Sequence, residues 1–173
     1  MGCDIHVYME RRLGGHWVAV NAPLHEGEID YGKPYPWGAW TYEVSPLEEL
    51  SQLTLPFAER FPTKAEEWAF GRNYDSFGRL SGVRGDNEYR PANGMPKDAS
   101  ASVRQSWKEG GDDWHNPTHW TLGDLDEAHE NREPDPQEYG VARISALLSE
   151  MKRVAMEYNL MPDSVRVVFW FDN

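Results

Sequence analysis

A stripe of apolar residues near the end of the chain does most to limit its fold. Val141, Ile144, Leu147, Leu148, Met151, Val154, Ala155 and Tyr158 recur at spacings of three and four, the period that lines up side chains on one face of an α-helix. Pro134-Asp135-Pro136 stands just ahead of them, so the spacing predicts a helix over roughly 136–159. Asn159 to Ser164 then turns the chain, and Val165–Phe171 is rich in β-branched and aromatic residues, the composition of a buried strand. A helix with a single apolar stripe must lay that stripe against something, and a sheet containing this strand is the nearest candidate.

The start of the chain supplies more of the sheet. Cys3, Ile5, Val7 and Met9 alternate with Asp4, His6, Tyr8 and Glu10, and alternate residues of a strand share a face. The first set suits a core; the second is an acid, an imidazole, a phenol and an acid in a row. Leu13-Gly14-Gly15 turns the chain, and His16–Val20 returns as a second strand. Residues 21–41, dense in Gly, Pro, Tyr and Trp, read as an ordered aromatic loop. Ser45, Pro46 and Glu48 predict a short capped helix, 63–70 a helical turn or two, and 71–111 mostly loop. Within that last stretch, Asn93–Ser100 reads as a turn followed by a helix start capped by Asp98 or Ser100. Thr121 with Asp124 opens a helix to about Asn131. The expectation is one α+β domain over 1–173: a small, mainly antiparallel sheet including both chain ends, a long C-terminal helix packed on it, and long irregular loops. Pairing the two ends in the sheet centre brings Asp172 close to Asp4.

Composition narrows the function. The formal net charge is -12, which argues against binding duplex nucleic acid, where a basic surface supplies most of the affinity. A small anionic ligand, a nucleotide first among them, is compatible with a local basic pocket. One cysteine excludes an internal disulfide framework, and Cys3 reads as a small core residue. No apolar run reaches the length of a membrane span and no secretory leader is visible, so the expected location is cytoplasmic. Eight tryptophans suit both a core and a ligand pocket.

Two constellations carry candidate chemistry. Asp4-Ile5-His6 and Asp113-Trp114-His115 repeat an Asp-x-His pattern. Imidazole and carboxylate together bind divalent metals such as Zn or Mn, so Asp4, His6, Asp113 and His115 are the candidate metal ligands. Asp172 and His119 are the candidate catalytic side chains, as a further ligand or base, with Asp112 an alternative to Asp113. Against this stands the bland alternative that an acid beside an imidazole merely fixes the ring. Asn116-Pro117 predicts a turn that leaves His115 and His119 in a loop. The second constellation is Arg72-Asn73-Tyr74, followed by Arg79 and Arg84. Arginine pairs bidentately with phosphate, and Tyr or Asn contacts a base; Arg72, Asn73, Tyr74 and Arg84 are the candidate ligand-binding residues. The chain contains no phosphate-loop, dinucleotide-binding or nucleophile-turn signature.

The opening Met-Gly-Cys-Asp-Ile-His, the Arg72-Asn73-Tyr74 segment with Arg84, Asn93-Gly94-Met95-Pro96, the Asp-x-His ahead of Trp120-Thr121-Leu122 and the terminal Phe-Asp-Asn together resemble an uncharacterised family of small bacteriophage and bacterial proteins. The resemblance implies a phage or prophage origin and action in a bacterial cytoplasm; it implies no activity and no residue role. The functional expectation is therefore a metal-dependent hydrolase, a phosphodiesterase or phosphatase acting on a nucleotide. Two alternatives stand beside it: a non-catalytic protein that sequesters a nucleotide signal of host defence, and an acidic inhibitor of a protein partner.

Overall fold

The computed structural model describes residues 4–20, 24–25, 40–41, 65, 67–68, 70, 74–83, 89–131 and 141–172. Its centre is a four-stranded sheet built from β1 (Ile5–Leu13), β2 (His16–Val20), β5 (His115–Thr121) and β6 (Val165–Phe171). The strand order is β2-β1-β6-β5 and every pairing is antiparallel. The strands nearest the two chain ends are thus the central pair, with Ile5 opposite Phe171 and Arg11 opposite Val165. A separate two-stranded ribbon joins β3 (Leu24–His25) to β4 (Trp40–Thr41). The α+β expectation holds.

Turn chemistry sets the first register. Gly14 and Gly15 take φ of +56° and +84°, the paired left-handed conformations that a two-residue hairpin of matching twist needs. Leu13 therefore lies opposite His16.

Both faces of the sheet are covered. On the first face Val7, Met9, Val165, Val167, Phe169 and Phe171 join one apolar cluster. It is packed by α1 (Tyr74–Ser81), α3 (Leu122–Glu130) and α4 (Val141–Glu157), whose Phe77, Leu80, Leu122, Leu125, Leu147 and Met151 are buried in it. The 17-residue α4 carries the stripe read from the sequence, with Ile144, Leu147, Leu148, Met151, Val154 and Ala155 buried. It ends where Asn159 takes φ +51° and the Leu160 and Asn159 amides donate back to the carbonyls of Ala155 and Met156, the hydrogen-bond pair of a Schellman cap. The second face carries Tyr8, Val168 and Trp170 and is covered by α2 (Ala101–Glu109) through Val103. Cover on both faces explains why β6 is buried at every residue and reads as a nearly continuous apolar run.

Three sequence expectations change. The 71–111 stretch holds two helices, α1 and α2. A glycine hid the first: Gly78 lies inside α1 and is buried, and it lowers the local helix propensity. The described residues of 63–70, namely Ala65, Glu67, Trp68 and Phe70, are not helical. The Trp68 amide donates to the Val7 carbonyl at 2.8 Å, so the chain there runs alongside β1 where β2, paired only from Met9 onward, no longer reaches. Asn116-Pro117 does not break the chain into a loop but sits in β5, as a bulge between His115 and Thr118, with Asn116 at φ +50°. β5 is an edge strand, which tolerates the missing proline amide. Two expectations are met: Ser100 caps α2 and Thr121 caps α3, their hydroxyls accepting from the Val103 and Asp124 amides. Cys3, the helix expected after Ser45, most of the 21–41 segment and the 134–136 start of the long helix lie outside the described residues.

Candidate functional site

The second face of the sheet ends in a rim formed by the start of β1, the end of β6 and the turn before β5. Asp4 and Asp172 meet there as the sequence led one to expect. The Asp172 amide donates to the Asp4 carbonyl at 3.2 Å, and the Asp4 amide donates to Asp172 Oδ1. His6 lies next to them, opposite Trp170 in the register. Its Nε2 is 3.4 Å from Asp172 Oδ2 and its Nδ1 is 2.6 Å from Glu67 Oε1. The Tyr8 hydroxyl donates to the same Glu67 oxygen at 3.0 Å.

Glu67 is the member that sequence reasoning missed. The Trp68 amide bond to Val7 and the Trp68 indole, whose Nε1–H donates to the Val20 carbonyl at 2.8 Å, fix this segment beside β1. Trp68 and Phe70 join the first-face cluster while Ala65 joins the second. That alternation is strand-like and turns Glu67 toward His6 and Tyr8. The signal was present as apolar residues two apart at Trp68 and Phe70, too short to outweigh a helical reading.

The neighbours of the imidazole favour its protonated form. The Glu67 hydrogen bond raises the His6 pKa above the ordinary 6.5 more than burial lowers it, and Asp172 adds to the rise. Trp114 lies over the ring at 4.6 Å between centroids, tilted by 32°, with Trp170 stacked 6.1 Å away on the sheet. Trp107 and Trp114 pack on Trp170 at 5.3 and 5.2 Å. The indoles help to bury the ring, and that burial opposes the rise. Burial pushes the Tyr8 phenol well above its ordinary range, so it stays protonated and donates. The result is an acid–imidazole–acid relay under an aromatic roof, with Glu67 and Asp172 still open to solvent at 47% and 26% side-chain exposure.

The register parts the two Asp-x-His pairs. His115 lies opposite Phe171 and stacks on it at 5.9 Å, on the first face; His6 shares the second face with Trp170. Their strands flank β6, ~10 Å apart axis to axis, and their side chains leave in opposite directions. Asp113 is exposed in a 3-10 turn, Gly111–Asp113. Among the described residues no group of three or more His, Cys, Asp or Glu side chains is arranged to hold a metal ion.

His119 does not join Asp172. It lies opposite Val168, four residues back from Asp172 along β6, ~13 Å of strand. Burial, with Arg166 and Arg90 nearby, lowers its pKa. Its Nδ1 faces the Gly94 carbonyl at 3.0 Å and so carries the proton of a neutral ring. The Asn93 amide pairs with His119 on both sides, donating to its carbonyl at 3.0 Å and accepting from its amide at 2.9 Å. Asn93-Gly94 thereby closes part of the open edge of β5, which accounts for that motif without a ligand. Tyr74, expected against a base, packs on Phe171 in the first-face core. Arg72, Asn73 and Arg84 lie outside the described residues.

Comparison with known proteins gives no family model, no curated protein and no solved structure that matches. No described helix is long and apolar enough to cross a membrane.

Proposed function

We propose that the protein is a hydrolase of small phosphoester ligands, a nucleotide being the leading substrate class, with the His6 relay as its acid–base centre. The observation that carries this reading is the His6 imidazole held between Glu67 and Asp172 at a partly open, tryptophan-roofed rim. The raised pKa favours the protonated ring, the form a general acid needs. In the step envisaged, water attacks phosphorus and loses a proton to Asp172. The bond from phosphorus to the leaving oxygen breaks, and His6 gives that oxygen its proton. Tyr8 and Trp114 orient the ring, and Trp114 and Trp107 offer faces on which a base stacks.

Local charge sets a requirement. Among the described residues Glu67 and Asp172 outnumber the one imidazole at this rim, so an anionic ligand needs further cations. Arg72 and Arg84 are assigned that part. A divalent ion held jointly by Asp4, His6, Asp113 and His115 is not part of this reading, because the register places the two histidines on opposite faces.

The test is turnover of bis-p-nitrophenyl phosphate and a panel of nucleotides, with metal content measured on the same preparation. His6→Gln should lower kcat by ~10²–10⁴, the usual contribution of a positioned acid, and Arg84→Ala should raise KM. Turnover unaffected by His6→Gln, or lost on chelation and restored by one stoichiometric metal, contradicts the relay.

A second reading has its own support. Both His6 nitrogens are engaged by carboxylates, an arrangement that also suits a rigid floor for a bound but unreacted nucleotide in a bacterial host's cytoplasm. Recovery of intact nucleotide from denatured protein, with no turnover, favours sequestration.

A further inference from the structure

We propose that Glu10, buried at the opposite end of the second face, is the positioning residue that sets Trp114 over His6; the inference rests on reading His6 as the working group.

The connection is continuous. Glu10 is fully buried, and its Oε1 accepts from the Ser100 amide at 2.6 Å. Ser100 is the N-cap of α2, so this carboxylate fixes where the helix begins. Arg166 locks the carboxylate in turn: its Nε donates to Glu10 Oε2 at 2.6 Å and its Nη1 to Asp98 Oδ1 at 2.8 Å. Trp17 closes the clasp, its Nε1–H donating to Asp98 at 2.9 Å and its ring lying 4.0 Å under the guanidinium. From this anchor α2 runs along the sheet for nine residues, ~14 Å of helix.

Its far end delivers Trp107 against Trp170. Gly110 follows, and a Cβ there would stand 1.9 Å from Trp114 Cδ2; the indole lies flat against the bare backbone. Gly111 at φ +57° then turns the chain so that Trp114 returns over His6. Nothing in this run is a ligand contact for Glu10. Its buried charge has a different consequence: a shift at the Ser100 cap is passed down a rigid helix to the indole.

The experiment is Glu10→Gln in the full chain, read by NMR. It follows the His6 ring titration and the cross peaks between His6 and Trp114. Among the described residues the charged groups facing His6 are Glu67 and Asp172, with Tyr8 and Asp4 beside them, and the substitution touches none of them. Loosening the roof relieves the burial that lowers the His6 midpoint, so the midpoint should rise and the cross peaks weaken. The direct field effect has the opposite sign, since a lost negative charge ~13 Å along the strand lowers a histidine midpoint. In a Trp114→Ala background, Glu10→Gln should then produce no rise. If Glu10→Gln does not fold, Arg166→Lys, which keeps the cation and loses the fork, carries the same prediction. Unchanged cross peaks and midpoint in a folded variant, a fall, or an equal rise without Trp114 each overturn the proposal. The readout needs no turnover, so it stands apart from the hydrolase test.

Discussion

Replacing Glu10 with alanine probes the buried clasp most severely. The side chains of Glu10 and Arg166 are 0% and 4% exposed, and they meet at 2.6 Å. Removing one partner of such a pair leaves the other charge buried without compensation, a loss of ~3–5 kcal/mol. The Ser100 amide also loses its acceptor, a cost of ~1–3 kcal/mol that is part of the same total rather than an addition to it. Asp98, whose side chain is 59% exposed, continues to hold Arg166 Nη1, which sets the expectation at the lower end, ~3 kcal/mol. For a chain of this length each kcal/mol moves Tm by ~2–4 °C, so Tm should fall by ~6–12 °C. Urea unfolding at fixed pH, with equal m-values for both proteins, gives the free energy directly. Glu10→Leu combined with Arg166→Met should recover most of the loss, as apolar replacement of a buried pair does elsewhere. Lys152→Ala breaks the Lys152–Asp126 pair, whose side chains are 48% and 30% exposed, and should move stability by no more than ~0.5 kcal/mol. A Glu10→Ala loss under ~1 kcal/mol, or one matched by Lys152→Ala, refutes the clasp as described.

Two further predictions use other parts of the sheet. His6 has a folded pKa raised above the ordinary 6.5, chiefly by Glu67; its contribution to stability is therefore complete below that value and is lost as pH rises through the folded pKa. Unfolding of wild type compared with Glu67→Gln across pH 5–9 should show a gap that is widest at the acid end and narrows toward alkaline pH; a gap that widens with rising pH contradicts the assignment. Asn93→Ala removes both hydrogen bonds to His119, at ~0.5–1.5 kcal/mol each. Hydrogen exchange of the His119 amide should quicken, while the Val167 amide, in the central strand, keeps its protection.

What could be read without a structure was what local pattern determines. The helical stripe from Ile144 to Ala155, the Gly14-Gly15 hairpin, the caps at Ser100 and Thr121 and the strand alternation of Ile5, Val7 and Met9 are all decided by neighbours a few residues away. So was the meeting of Asp4 with Asp172, because two terminal strands of a small sheet have few other ways to pair. The helix Tyr74–Ser81 escaped because Gly78 weakens its propensity. The site was harder. Whether His6 and His115 share a face depends on the register of β6, and one residue of register reverses every side chain. The bulge at Asn116-Pro117 adds a further change of phase. Glu67 was invisible for a related reason: its place beside His6 follows from β2 stopping short of Val7, a matter of strand lengths and not of any motif.

The account turns on the protonation of one ring, and an NMR titration of the His6 ring nitrogens measures it most directly. A midpoint above the ordinary imidazole value in the wild-type protein, falling in Glu67→Gln and again when Asp172 is changed to Asn, is the predicted result. A midpoint at or below the ordinary value, unmoved by either substitution, contradicts the relay and the function built on it.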